Sequence, residues 1–156
     1  LNTYRMPVTS DLILKNGKCF VDGQLKSIDI GISNGIIKST SKIEEISNQK
    51  ILDANNLIVL PGIIDTQVHF REPGLTHKAE IKTEAAAAVA GGVTSYMEMP
   101  NTNPVTDSAA EIQKKLDLAA DKSLANYAFY LGATNNNLET SGGDLTPKKT
   151  KILLKT

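Results

Sequence analysis

The 156-residue sequence predicts an α/β fold in two parts, a small β unit followed by βα units of a parallel sheet, either a (β/α)8 barrel or an open doubly wound sheet. Three observations lead there. Short apolar runs separated by Asn-Gly and Asp-Gly turns fill the chain up to about Leu60. After Pro61-Gly62, strands are separated by helical patterns instead. Those later strands recur at roughly 30 residues, the length of one βα unit.

The β unit, residues 1–60, takes shape from Asp11. In "DLILKNGKCFVDG" one apolar run meets Asn16-Gly17 and a second meets Asp22-Gly23. Such pairs adopt positive φ at little cost, so each predicts a hairpin. "SIDIGISNGIIKSTSKI" repeats the scheme: Ile28, Ile30 and Ile32 alternate with Asp29 and Gly31, and Asn34-Gly35 turns the chain back into Ile36-Ile37. The expectation is a small antiparallel sheet.

The second part, residues 61–138, begins with "GIIDTQVHF", a buried strand. "AEIKTEAAAAVAGG" follows, with high helix propensity and a stop at Gly91-Gly92. Its alanine block, Ala85 to Ala88, predicts close packing of helix on strand. "VTSYMEM" is a second strand, "SAAEIQKKLDLAADK" a helix with Ser108 and Glu111 at capping-box spacing, and "ANYAFYLGA" a third strand. Strands starting near Ile64, Val93 and Ala125 are therefore expected to be parallel. The competing architecture is an open doubly wound sheet, but no glycine-rich phosphate loop follows the first strand. A closed barrel takes about 250 residues, so if the fold is a barrel this chain holds about three of its eight units. Open strand edges and unpartnered apolar faces around Val68 and Phe70 would make such a piece aggregation-prone. "LETSGGDLTPKKTKILLKT", which carries the tail at residues 139–156, breaks the pattern. It reads either as a poorly ordered tail of a truncated or altered frame or as a solvated loop with a short strand.

Composition narrows the function. Lys plus Arg and Asp plus Glu both number 17, so no net charge gathers nucleic acid or anionic lipid. Partners are expected to be small molecules or other subunits. Cys19 is the single cysteine, which excludes a disulfide framework and a thiolate zinc site and fits a reducing cytoplasm. No apolar run approaches the roughly 20 residues that cross a membrane, and the first residues lack the apolar centre of a secretory signal. Met6 is a candidate start, with the residues before it an upstream extension.

On a strand, Asp65, Gln67, His69 and Arg71 fall on one face and Thr66, Val68 and Phe70 on the other. In a barrel the apolar set packs against helices and the polar set points at the C-terminal mouth, where active sites are built. Four polar side chains on one face are costly to bury unless something binds there. Arg71 can pair with Glu72 or Glu98, or clasp a carboxylate with its two-pronged guanidinium. "MEMPNTNP", Met97 to Pro104, places Asn101, Thr102 and Asn103 in a proline-stiffened loop at the same strand-end level. That stretch is good turn chemistry and a binding-loop candidate at once. His77, just before the alanine-rich helix, reads first as a surface or capping histidine.

Taken in order, "LPGIIDTQVHFREPGLTHK" and "AAVAGGVTSYMEMPNTNP" resemble the N-terminal part of a dihydroorotase of the amidohydrolase superfamily, with hydantoinases and allantoinases as nearest relatives. The likeness runs from about Asp11 to Leu138 and corresponds to the first third of a family member. It implies a (β/α)8 barrel beside a small β-sandwich built from both chain ends, so residues 1–60 would lack partner strands. It further implies reversible hydrolysis of dihydroorotate to N-carbamoyl-L-aspartate in pyrimidine biosynthesis, with one or two zinc ions in metal-dependent members.

By position in that resemblance, His69 matches the second histidine of the metal motif, and Asp65 a residue that orients a ligand from behind. Arg71 with Asn101 matches the pair that holds the substrate carboxylate. Gln67 stands where the first motif histidine is usual, and a neutral amide is a poor zinc ligand. "DTQVHFREPG" is read as a subgroup feature. The remaining metal ligands and the proton-shuttling aspartate are expected beyond Thr156. No catalytic residue is therefore expected within the chain, and the isolated chain is expected to be inactive. A homodimer and a complex with aspartate transcarbamoylase are the assemblies the resemblance allows. Two other readings stand beside this one: allantoinase or hydantoinase activity, and a non-catalytic homologue acting as a scaffold, which Gln67 favours.

Overall fold

The structure is a computed structural model that describes residues 10–43 and 49–137. Two compact units divide the chain, Leu1–Pro61 and Gly62–Thr156. The tail at 139–156 lies outside the described residues.

In the first unit, β1 (Leu12–Lys15), β4 (Ile30–Ser33), β5 (Ile36–Ser39) and β6 (Lys50–Asp53) form a sheet in the order β5-β4-β1-β6. A second sheet has the order β3-β2-β7, from β2 (Lys18–Val21), β3 (Gln24–Ser27) and β7 (Ile58–Val59). Hairpins form at Asp22-Gly23 and Asn34-Gly35, where both residues of each pair have positive φ. Asn16-Gly17 does something else. β1 pairs with β4 and β6 while β2 pairs with β3 and β7, so this turn is a corner between two sheets and not a hairpin.

Side chains distant in sequence fix that corner: Asn16 Nδ2 donates to Asp53 at 2.9 Å, and the Asn16 N–H donates to Asp29 at 3.3 Å. A Cβ on Gly17 would stand 2.8 Å from Val59 Cγ2, so only glycine fits against β7. The β1–β6 and β2–β7 pairings are parallel, which makes the unit mixed where hairpin turns alone suggested a purely antiparallel one. Ile13, Cys19 and Ile30 are its buried apolar residues from these strands.

The second unit runs β8 (Ile63–Val68), α1 (Ile81–Ala90), β9 (Val93–Glu98), α2 (Ala109–Ala120) and β10 (Asn126–Phe129). Its three strands form a parallel sheet in the order β10-β9-β8. Helix α1 stops where Gly92 takes a φ of 91° and its N–H returns to the Val89 carbonyl, the left-handed ending that glycine favours. Helix α2 starts where Ser108 Oγ accepts from the Glu111 N–H at 3.3 Å.

Val68, Phe70, Tyr96 and Phe129 of the sheet side pack against Ile81, Ala85, Ile112 and Ala119 of the helices. Fully burying a side chain such as Ile81 contributes about 1.5–3 kcal/mol. The faces around Val68 and Phe70 thus have partners, contrary to expectation, because α1 and α2 already cover them. Ile63 and Ile64 are the apolar residues that β8 leaves exposed. Only half of the alanine block packs: Ala85 is buried and Ala88 joins the core edge, while Ala86 and Ala87 face out, as helical periodicity requires. Among the described residues no helix is long and apolar enough to cross a membrane.

Candidate functional site

Parallel strands end on one side of the sheet, and there the chain opens a cavity of about 450 Å³ lined by Thr66, Gln67, Met99, Pro100, Tyr130 and Gly132 among others. Strict alternation along β8 places only Gln67 of the first two on this wall. The register slips between Asp65 and Val68, however, and Asp65 Oδ1 accepts from the Gln67 N–H at 3.0 Å. Both Thr66 and Gln67 line the cavity, Thr66 with its carbonyl turned toward Tyr130. Asp65, Gln67 and His69 are exposed, whereas Val68 and Phe70 are buried. Arg71 lies past the end of β8 with a φ of 67°, so it belongs to a turn and not to the strand face that the sequence suggested.

The turn that carries Arg71 is tied down on several sides. Glu72 is buried; its Oε2 accepts from the Ile81 N–H at 3.1 Å and its Oε1 pairs with Lys122. Glu72 thereby caps α1, whose own N-cap residue, Glu80, makes no side-chain cap bond. The Asn103 N–H donates to the Pro73 carbonyl at 3.2 Å, which joins this turn to the loop after β9. At the junction Gly74 has a φ of 81°, and a Cβ there would stand 1.9 Å from the Asn103 carbonyl oxygen. "REPG" and "PNTNP" are therefore two halves of one platform, and Gly74 is what lets them touch.

Beneath the platform lies a buried ion pair. Lys115 Nζ sits 3.4 Å from Glu98 Oε2, donates to the Met99 carbonyl at 3.2 Å, and lies 5.4 Å from the centre of the Phe129 ring. Burial pushes the Glu98 carboxyl up to about 7, against the opposing pull of Lys115 and of the nearby Arg71 N–H. Neither Glu98 oxygen makes a hydrogen bond of good geometry. Burial likewise lowers the Lys115 ammonium, with Glu98 opposing. Since Glu72 is paired with Lys122 and Glu98 with Lys115, neither is the ion-pair partner of Arg71 that the sequence offered.

Two predicted residues do meet. His69 Nδ1 and Asn101 Oδ1 are 3.0 Å apart although 32 positions separate them. Asp65 is spent on the Gln67 backbone and makes no hydrogen bond to the His69 ring. Thr102 turns out to be structural, its buried hydroxyl bonding the Pro104 carbonyl at 2.9 Å and Thr106 Oγ1 at 3.1 Å. His77 is exposed in the turn before α1.

Sequence reasoning missed Tyr130 and Asn137. The Tyr130 hydroxyl donates to the Thr66 carbonyl at 3.1 Å, bridging the cavity floor from β10 to β8. Buried Asn137 donates to the Asp107 and Gly132 carbonyls, each at 2.7 Å, and so ties the loop after β10 to the loop after β9. Its only signal in the chain was an asparagine run that reads as ordinary turn chemistry.

A zinc ion bound for catalysis takes three protein ligands. Among the described residues no three His, Cys, Asp or Glu side chains stand together in a way that could hold a metal. His69 offers one ring nitrogen, Gln67 a neutral amide, and Asp65 is turned to its own strand. These residues by themselves do not fit zinc.

Residues 56–139 match the family model described as dihydro-orotase-like, a stretch that takes in both loops of the platform. The chain belongs to that family. This dihydroorotase-like chain is 39% identical over 122 residues to the dihydroorotase of Methanothermobacter thermautotrophicus, with 78% of this chain and 27% of that protein covered. It is 36% identical over 124 residues to the dihydroorotase of Enterococcus faecalis, covering 78% of this chain and 29% of the relative. Among solved structures, the L-hydantoinase (dihydropyrimidinase) from Arthrobacter aurescens superposes with a TM-score of 0.75 at 27% identity, over 84% of this chain and 30% of that one. A D-hydantoinase from Thermus sp. gives 0.69 at 27% identity, over 83% and 29%. The dihydroorotase-like chain thus spans under a third of the proteins it matches.

Proposed function

We propose that this dihydroorotase-like chain supplies the substrate-carboxylate side of a cyclic amidohydrolase site, for reversible hydrolysis of dihydroorotate to N-carbamoyl-L-aspartate. The two units then correspond to a small β-sandwich part and the opening βα units of a (β/α)8 barrel. The observation that supports the reading is the interlocked platform, whose two joined loops carry Arg71 past the end of β8 and Asn101 past the end of β9.

In this reaction water adds to the ring carbonyl, the C–N bond breaks, and the departing nitrogen takes a proton. The groups in hand bind and orient. The Arg71 guanidinium clasps the substrate carboxylate and the Asn101 amide donates to it, which fixes how the ring amide faces the strand ends. No step of water activation is assigned to a described residue. Zinc, if the whole protein uses it, needs ligands beyond His69 and Gln67. The same reading makes the substrate a small molecule handled in the cytoplasm, with a homodimer or an aspartate transcarbamoylase complex as the assemblies to seek.

Titrating the chain with N-carbamoyl-L-aspartate and with an uncharged ring such as hydantoin tests the carboxylate role. Arg71→Met should weaken the acid by about 10- to 100-fold, as loss of a charge-assisted bidentate bond implies, and leave hydantoin unchanged. Equal loss for both ligands refutes it. Gln67 favours a second reading, a non-catalytic scaffold, since it lines the cavity where the family resemblance places a metal histidine. Stoichiometric zinc together with ring opening would sink that alternative.

A further inference from the structure

We infer that Asn101 is a positioning residue as well as a substrate-reading one: its Oδ1 holds His69 in the Nδ1–H form while its Nδ2 stays turned to the substrate anion. The second half of this statement rests on the carboxylate reading above; the first does not.

The geometry is direct. A neutral imidazole carries one N–H and one lone pair, and the hydrogen bond made by one nitrogen decides which is which. The structure sets the amide oxygen, which can only accept, 3.0 Å from His69 Nδ1, and a hydrogen bond in that arrangement makes Nδ1 the donor. Nε2 is then the lone-pair nitrogen, the one able to take a proton or bind an electrophile. Asn101 itself is held from both sides. Pro100 precedes it, and the Pro100 carbonyl accepts from the Thr102 and Thr106 N–H groups at 2.9 and 3.0 Å. Asn103 after it is bonded to Pro73. The backbone that carries the amide is thus fixed, with the amide oxygen at the ring. One side chain links the histidine half of the site to the anion half.

The chain has two histidines, which makes a direct test simple. Long-range proton–nitrogen NMR of the histidine-labelled 156-residue chain, at a pH about two units above the usual imidazole value, reads each ring's tautomer. His69 is expected to show the Nδ1–H pattern, and exposed His77 the Nε2–H majority of a free imidazole. Asn101→Ala should lose the Nδ1–H pattern at His69. Asn101→Asp keeps an acceptor and should retain it, which separates the hydrogen bond from any general disturbance of the loop. An Nε2–H pattern at His69 in the unchanged chain, or an Nδ1–H pattern that survives Asn101→Ala, overturns the proposal.

Addition of N-carbamoyl-L-aspartate then tests the other end of the amide. The Asn101 Nδ2 protons should shift in the unchanged chain and fail to shift in Arg71→Met, with the His69 tautomer constant. An Asn101-dependent tautomer with no ligand shift upholds the tautomer lock and refutes the carboxylate reading.

Discussion

Replacing Gly74 with alanine should unlock the platform. The residue has a φ of 81°, and the added methyl would stand 1.9 Å from the Asn103 carbonyl oxygen and 2.8 Å from both the Asn103 carbonyl carbon and its Cβ. A left-handed backbone costs an alanine about 1–2 kcal/mol. The contact is with backbone, so side-chain rotation cannot relieve it, and the two loops must part. Parting removes the Asn103 to Pro73 hydrogen bond, at a net cost of about 1 kcal/mol. The total is about 2–3 kcal/mol, or a urea midpoint lower by about 1–2 M at a slope typical of small domains.

Gly92→Ala is the matched control, because Gly92 has a φ of 91° in the same unit but nothing within 4 Å of the added carbon. It should show the backbone cost alone. Tyrosine fluorescence serves as the readout, since the chain has 4 tyrosines and no tryptophan, and Tyr96 is buried in the core of this unit. Equal losses for Gly74→Ala and Gly92→Ala would refute the interlocked platform.

Substitutions at three other residues test the buried ion pair and the cap of α2. With its folded value raised from 4.5 to about 7, Glu98 holds a proton that the unfolded chain has released, so stability should fall as pH rises through that window, by at most about 1.4 kcal/mol per unit. Glu98→Gln should flatten the slope in urea titrations from pH 5 to 7, and an unchanged slope would exonerate Glu98. Lys115→Met at pH 8 removes the cation that holds the Glu98 carboxyl down, so Glu98 must bind a proton or stay charged and unpaired, at a cost of up to about 3–5 kcal/mol. The Glu98→Gln/Lys115→Met double variant should recover much of that, and a double variant as weak as the single would contradict the pairing. Ser108→Ala removes the acceptor for the Glu111 N–H and should cost about 1 kcal/mol, while Ser108→Asp should be nearly neutral in thermal melts.

Local chemistry was legible in the chain itself. Ser108 with Glu111, the Gly91-Gly92 stop, the Asp22-Gly23 and Asn34-Gly35 hairpins, and three parallel strands at βα spacing each follow from interactions among near neighbours or from periodicity. The motifs "REPG" and "PNTNP" were visible too, along with the residues His69, Arg71 and Asn101. Tertiary structure decided the rest, because it depends on groups far apart in the sequence. Asn16-Gly17 became a corner only because Asp29 and Asp53 reach it, and Glu72 and Glu98 found lysines on a later helix and the turn after it. Above all, the sequence offered Gly74 only as part of the "REPG" motif and Asn101 as a residue of a candidate binding loop, which the resemblance made a carboxylate reader. Only the folded chain shows that Gly74 seats one loop on the other and that Asn101 meets His69, since both facts require β8 and β9 to end side by side.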